Sequence, residues 1–167
     1  MTALYMDENI LATLEEFYVR DSQGRKRYKV TGTPMSLTKK LKIFDAQGRP
    51  MAVIERPVLS LFRDTYDIYV RGKKRAVIRE RLFKLLPWNR HTIGIVNWDV
   101  NGSILDHDYT LVKGFKQIAS IHRKWMSFGD CYEIRVKDGE NELLVLATAV
   151  ALDAITADHK IQKDLKR

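Results

Sequence analysis

Most of the chain reads as short stretches in which apolar and polar residues alternate, each closed by turn-forming residues. Phe17-Tyr-Val-Arg20 and Arg27-Tyr-Lys-Val-Thr31 flank Asp21-Ser-Gln-Gly24. There, Asp and Ser bond their own backbone and Gly supplies positive φ. Leu41-Lys-Ile-Phe44 and Met51-Ala-Val-Ile54 flank Asp45-Ala-Gln-Gly48 in the same way. Thr65-Tyr-Asp-Ile-Tyr-Val70 and Arg75-Ala-Val-Ile78 flank Arg71-Gly-Lys-Lys74. Three hairpins at this spacing predict an antiparallel barrel or sandwich. Pro34, Pro50, Pro57 and Pro87 fall at strand ends or loops, where a missing N–H does least harm. Before the first hairpin, Ile10, Leu11 and Leu14 have helical spacing, so residues 1–15 are expected to form a short N-terminal helix or arm.

The pattern changes near the C-terminus. Leu143 through Leu152 is apolar on every side, with Thr148 its one polar residue. Crossing a bilayer takes about 20 apolar residues, so the run is too short to span one. A helix that is apolar all round must instead sit inside protein. Asp138-Gly139 reads as a turn, Asn141 as the helix N-cap and Glu142 as a first-turn acid. Thr148 can bond its own helix backbone, which makes its burial tolerable. Asp153 should mark the emergence of the helix at the rim, or a cap contact there. A single domain is expected over residues 1–167. Strands occupy 16–137, a central helix 141–157, and a charged, frayed tail 158–167.

The second half of the strand region echoes the first. Asp64-Thr-Tyr-Asp-Ile-Tyr-Val70 matches Asp130-Cys-Tyr-Glu-Ile-Arg-Val136 in four identities plus an Asp/Glu pair. Upstream, Met51-Ala-Val-Ile-Glu-Arg56 matches Ile118-Ala-Ser-Ile-His-Arg123, and Ser60 falls opposite Ser127. Two related β-units closing one shell would produce this. Two copies are too few for a solenoid.

Composition narrows the class. The chain has 167 residues, 45% hydrophobic and 30% charged, as expected of one globular domain without a structural metal or disulfide. Its single cysteine, Cys131, excludes an internal disulfide and fits a reducing compartment. The first residues are acidic and lack an apolar core, unlike a secretory signal, so a cytoplasmic location is expected. His91, His107, His122 and His159 have no metal-ligand spacing with one another or with Cys131. Asp106-His107-Asp108 is acidic but falls in an expected hairpin turn, with Asn101 and Gly102 nearby. Gly-rich phosphate loops of the Walker or dinucleotide type are absent, so no cofactor is implied. Cys131 has no sequence sign of an oriented base and reads as a small buried hydrophobe. No catalytic constellation emerges, and a non-enzymatic role is expected.

Charge adds the one functional pointer. The net charge is +8, from 29 Lys and Arg against 21 Asp and Glu. It is concentrated in residues 71–90, where Arg71, Lys73, Lys74, Arg75, Arg79, Arg81, Lys84 and Arg90 face Glu80 alone, a local balance of +7. Such a field attracts phosphates of lipid head groups or nucleic acid. No stacking platform or nucleic-acid module accompanies it, so nucleic acid is the poorer match. The candidate anionic-phosphate site is Arg71, Lys73, Lys74, Arg75, Arg79, Arg81 and Lys84. In a regular strand Arg75, Val77, Arg79 and Arg81 would share one outer face, with Ala76, Ile78, Glu80 and Leu82 on the other. The apolar segment Leu82–Trp88 beside it would suit a membrane interface. The bland alternative is a solvated basic face with that segment packed over the barrel end.

Taken together, Phe17–Gly24, Tyr28–Gly32, Leu41–Gly48, Ile118–Trp125, Asp130–Val136 and the helix Leu143–Asp153 resemble the LURP-one-related family. Its fold is shared with the tubby C-terminal domain and phospholipid scramblases. The resemblance implies a closed antiparallel barrel of about twelve strands, in two pseudo-repeats, threaded by a hydrophobic C-terminal helix. Tubby-like members bind phosphoinositides through basic barrel-surface residues, but none of those ligands maps onto this chain residue by residue. Most LURP-one-related members have no established biochemical activity. A scramblase-like activity is not expected, because the proline-rich region, cysteine cluster and spanning helix are missing. The resulting expectation is a binding module for phosphoinositide or other anionic phospholipid head groups, peripheral at the inner membrane surface. A small-ligand carrier or an enzyme using a cavity between barrel and helix is the alternative.

Overall fold

Twelve antiparallel strands close a barrel around one helix in the computed structural model. The structure describes residues 1–7, 16–32, 40–57, 65–80, 91–127 and 129–167, with backbone only at Glu80 and 160–162. The first half contains β1 (Thr2–Asp7), β2 (Glu16–Arg20), β3 (Lys26–Gly32), β4 (Lys40–Asp45), β5 (Pro50–Glu55) and β6 (Tyr66–Val70). The second contains β7 (Lys73–Glu80), β8 (His91–Gly94), β9 (Trp98–Ser103), β10 (Asp108–Lys113), β11 (Lys116–Met126) and β12 (Gly129–Val136). Helix α1 (Glu142–Leu165) follows. Each strand pairs with its neighbours in sequence, and β1 pairs with β12 to close the circle. Closure removes the free edges that an open sheet of this length would expose.

The alternation seen in the sequence is the inside–outside alternation of the wall. Leu41 and Ile43, Ala52 and Ile54, Ile68 and Val70, and Ile134 and Val136 are buried at every second position. The helix fills the space they enclose. Val145, Leu146, Ala147, Val150, Ala151 and Leu152 have no solvent exposure. Each buried Leu, Ile or Val side chain contributes roughly 1.5–3 kcal/mol, an upper figure because the unfolded chain is already partly compact. Thr148 donates its hydroxyl to the Leu144 carbonyl at 2.8 Å, inside the helix. At the helix start, the Asn141 side chain accepts from the Leu144 amide at 3.1 Å, forming the predicted cap.

The pseudo-repeat is visible as register. Ala52 faces Val70 and Ile54 faces Ile68 across β5 and β6. Ala119 faces Val136 and Ile121 faces Ile134 across β11 and β12. The same equivalence carries over the seams. Tyr66 faces Ile78 and Ile68 faces Ala76, as Tyr132 faces Met6 and Ile134 faces Leu4.

Three expectations need correction. Residues 2–7 are a barrel strand, with Leu4 and Met6 inward; this part of the expected N-terminal helix or arm is β1, and 8–15 lie outside the described residues. The tail is not frayed from residue 158, because α1 continues to Leu165. Its second half is pinned: Arg56 meets Asp158 at 2.6 Å, the Tyr66 hydroxyl is 3.2 Å from the same carboxylate oxygen, and the Thr156 hydroxyl lies 3.3 Å from the Ile104 carbonyl. The turn expected to hold Asp106-His107-Asp108 stops short of Asp108, which opens β10, and the nearby Asn101 and Gly102 belong to β9. Asp153 does sit near the rim, its carboxylate 3.6 Å from the buried His107 ring, which stacks on Tyr132 at 3.9 Å.

The barrel has two unlike ends. One end gathers turns 21–25, 45–49, 71–72, 95–97 and 114–115, the linker 137–141 and the start of α1. The other holds the Arg56–Tyr66–Asp158 and His107–Tyr132–Asp153 clusters. Pro50 opens β5, a position where a strand tolerates proline.

Candidate functional site

The basic hairpin predicted from sequence joins β6 to β7 at the end of the barrel where the helix begins. Its turn is Arg71-Gly72, with φ of +50° and +77°. Positive φ at both central residues marks the tight hairpin turn whose twist matches the flanking strands. The Arg71 amide donates to the Met51 carbonyl at 2.9 Å and ties the turn to its neighbour. The hairpin is not regular beyond the turn. Tyr69 faces Lys74 but Ile68 faces Ala76, so Arg75 is an extra residue in β7, a β-bulge. Bulges re-aim a side chain.

That bulge divides the predicted site. Arg71, Lys73 and Arg75 line a cleft of about 430 Å³ together with Val70, Asn141 and Leu143 at the head of the helix. Arg75 and Asn141 also line an adjoining cleft of about 530 Å³, whose wall includes Lys113, Lys116 and Glu140. Lys74 instead points along the outer wall, where Asp67 takes its ammonium at 3.1 Å. Arg79 is exposed further down the strand. The expected outer row of arginines is therefore broken: Arg75 lies in the mouth, Arg79 stays on the wall, and the bulge is the physical reason. Arg81, Lys84 and the Leu82–Trp88 segment lie outside the described residues.

The acids at this end are already engaged. Asp21 holds Arg25 at 2.7 Å and Asp45 holds Arg49 at 2.6 Å. Each aspartate also accepts two backbone amides of its own turn, from Gln23 and Arg25 and from Gln47 and Arg49. Hydrogen bonds from the Arg49 amide, reinforced by its side chain, hold the Asp45 carboxyl below its ordinary value. Burial alone would raise Asp21, but its bonds to Arg25 and Gln23 lower it. Glu142 takes Arg27 at 3.1 Å and the Tyr28 hydroxyl at 2.6 Å; burial and that carboxylate push Tyr28 up to about 12. Lys116 pairs with Glu140, and the N-terminal ammonium with Asp138. Among the described residues, Arg71, Lys73, Arg75 and Lys113 have no carboxylate within ion-pair distance.

Among the described residues, Cys131, His91 and His122 lie apart from this cleft. Cys131 is buried, near the Lys124 carbonyl, and burial with the nearby acids pushes its thiol up to about 11. A thiol in that state is a poor nucleophile. Among the described residues no three His, Cys, Asp or Glu side chains converge as metal ligands. His122 pairs with Asp108 at 2.6 Å on the surface, while His91 is buried in β8. Among the described residues, no helix is long and apolar enough to cross a membrane.

Sequence reasoning found the hairpin but not its company. Lys113 and Lys116 stand about the next hairpin turn but one, and Asn141 is noticeable in sequence only as a helix cap. Nothing local to residues 71–90 announces that these groups meet there.

The comparisons agree with this architecture. The model of the LURP-one-related family matches residues 2–153. The uncharacterized protein YxjI of Bacillus subtilis (strain 168) is 26% identical over 155 residues, covering 93% of this chain and 94% of that protein. A protein of Arabidopsis thaliana solved by X-ray crystallography superimposes with a TM-score of 0.67 at 17% identity, over 92% of this chain and 91% of that one. A barrel of twelve strands closed around its C-terminal helix, matched by the family model over nearly its whole length, places this chain in the LURP-one-related family.

Proposed function

We propose that the chain is a non-enzymatic binding module that recognises anionic phosphate groups through the cationic mouth of its barrel. The ligands are phosphoinositide or other anionic phospholipid head groups, met from the cytoplasmic side by a protein that is peripheral to the membrane. One observation carries the reading. Arg71, Lys73 and Arg75 converge on a single cleft without carboxylate partners among the described residues, while Asp21, Asp45, Asp138, Glu140 and Glu142 of the same end each hold a cation. Guanidinium groups can hold phosphate oxygens in pairs, and a lysine adds a point charge.

The alternative, a carrier or enzyme with an internal cavity, has less support. Val145 through Leu152 are packed against apolar wall residues, and the clefts open at the mouth rather than alongside that stretch.

Vesicle co-sedimentation tests the reading. Binding to vesicles of phosphatidylcholine mixed with phosphatidylserine or a phosphatidylinositol phosphate should exceed binding to phosphatidylcholine alone, and should fall with salt. Each cation near an anionic surface contributes about 1 kcal/mol. Replacing Arg71, Lys73 and Arg75 by Ala together should therefore weaken binding on the order of a hundredfold. Equal binding to neutral and anionic vesicles would sink the proposal.

A further inference from the structure

The same barrel end exposes large apolar residues at the tips of its turns. Phe115, in the β10–β11 turn between Lys113 and Lys116, is fully exposed. Ile95, in the β8–β9 turn, is 59% exposed, and the flanking Met1 is 60% exposed. The β6–β7, β8–β9 and β10–β11 turns are consecutive around the rim, so Arg71, Ile95 and Phe115 stand side by side on one edge. Every connection at this end lies within the described residues, so the exposure belongs to the rim itself.

Ile95 is unusual in a second way. Its φ is +74°, a left-handed conformation that a β-branched residue adopts only under strain. Neither burial nor β-propensity explains an isoleucine there. Asparagine or glycine would meet the backbone requirement more easily. A strained, exposed apolar residue is a reason to look for a role outside the fold.

We infer that this rim docks end-on against an anionic lipid bilayer, with Phe115 and Ile95 entering the head-group region while Arg71, Lys73, Arg75 and Lys113 meet lipid phosphates. The inference rests on the proposed phosphate binding and adds how the barrel seats on the membrane: rim first, with two apolar turn tips inserted beside the phosphate contacts. Charge complementarity selects this occupant: beside the apolar tips stand Arg71, Lys73, Arg75 and Lys113, without a carboxylate partner among the described residues, and acids already held in ion pairs, Glu140 with Lys116 among them. An aromatic tip flanked by two lysines combines apolar insertion with attraction to anionic lipid.

The test compares the full chain with Phe115→Ser, Ile95→Asn and the Arg71, Lys73, Arg75 triple alanine variant. The vesicles are an equal mixture of phosphatidylcholine and phosphatidylserine. Phe115→Ser and Ile95→Asn should each lower vesicle affinity on the order of tenfold, given the apolar area withdrawn from lipid. Thermal stability of Ile95→Asn should be unchanged or higher, because the strain is relieved; a purely structural role for Ile95 would lower it. Phe115→Trp should retain binding and add fluorescence quenching by brominated acyl chains beyond that of the parent. If the triple variant loses binding while the two apolar variants match the parent, the docking inference is overturned and phosphate binding stands. If soluble inositol phosphate binds as tightly as the vesicles do, the docking inference is again overturned. If the apolar variants change only the oligomeric state, the rim joins two copies of the chain instead. If the parent does not bind vesicles at all, both readings fall.

Discussion

Arg56 and Asp158 meet at 2.6 Å although 102 positions separate them in the chain. Arg56 follows β5 at the barrel wall, and Asp158 lies on the last third of the central helix. The Tyr66 hydroxyl stands 3.1 Å from Arg56 and 3.2 Å from Asp158, and the guanidinium lies over its ring. Burial and the nearby Asp158 charge push Tyr66 well above the ordinary tyrosine range, so it stays a neutral hydroxyl. These contacts explain why a charged segment remains helical.

Removing one partner should therefore be costly. Asp158→Ala leaves a half-buried guanidinium with a weakened set of partners, and about 2 kcal/mol of stability should go with it. In a chain of this size that is a drop of roughly 4–8 °C in Tm. Hydrogen exchange should rise selectively from residue 158 onward. A variant with unchanged exchange there would show that the pair does not hold the helix end.

The interior of the barrel should not accept charge. Leu146 and Val150 have no solvent exposure, so Leu146→Asp or Val150→Asp buries a carboxylate without a partner and should abolish soluble folding. Leu146→Ala should fold with a loss of about 2–5 kcal/mol. Soluble expression and chemical denaturation separate these outcomes, and a stably folded Leu146→Asp would refute the central-helix packing.

Acid should weaken the wall through Glu133. Lys124 meets it at 2.9 Å, Arg135 at 2.6 Å and the Tyr5 hydroxyl at 2.7 Å. Burial alone would raise its pKa, but these three bonds outweigh burial and lower it. A folded pKa below the unfolded one means that the stabilisation is present above the unfolded value of 4.5 and is lost as pH falls through the folded value. Glu133→Gln should flatten that part of the stability-versus-pH curve below the unfolded value while lowering stability near neutrality. An unchanged slope of Tm against pH would contradict the linkage.

Two glycines should respond very differently to alanine. At Gly102, φ is +111° and a Cβ would lie 2.4 Å from the Asp108 carbonyl oxygen, against backbone that cannot yield cheaply. Gly24 has φ +76° but no atom within 4 Å of the added carbon. Gly24→Ala should cost about 1 kcal/mol from conformational strain alone. Gly102→Ala should cost clearly more and disturb β9–β10 pairing. Equal losses in urea denaturation would mean that the close approach is not limiting.

The legible part of this protein is whatever depends on neighbours in the chain. Alternation along Leu41–Phe44 and Tyr66–Val70, the paired Asp–Gly turns and the apolar stretch from Leu143 each state a local requirement. Together with the Asp64–Val70 and Asp130–Val136 repeat, they specify strands, hairpins and a helix that must be enclosed. Tertiary structure decided the rest, because the relevant partners are remote. β1 is a short strand whose ladder partner, β12, lies at the far end of the chain, so its local sequence cannot announce its pairing. The helix extends past Ala157 because Arg56 and Tyr66 wait for Asp158. The basic segment shows a cluster of charge, but a one-residue bulge decides that Arg75 turns into the mouth, where closure of the barrel brings Lys113 and Asn141 beside it. Periodicity fixes which face a residue occupies in a regular strand; only the closed barrel determines what that face meets.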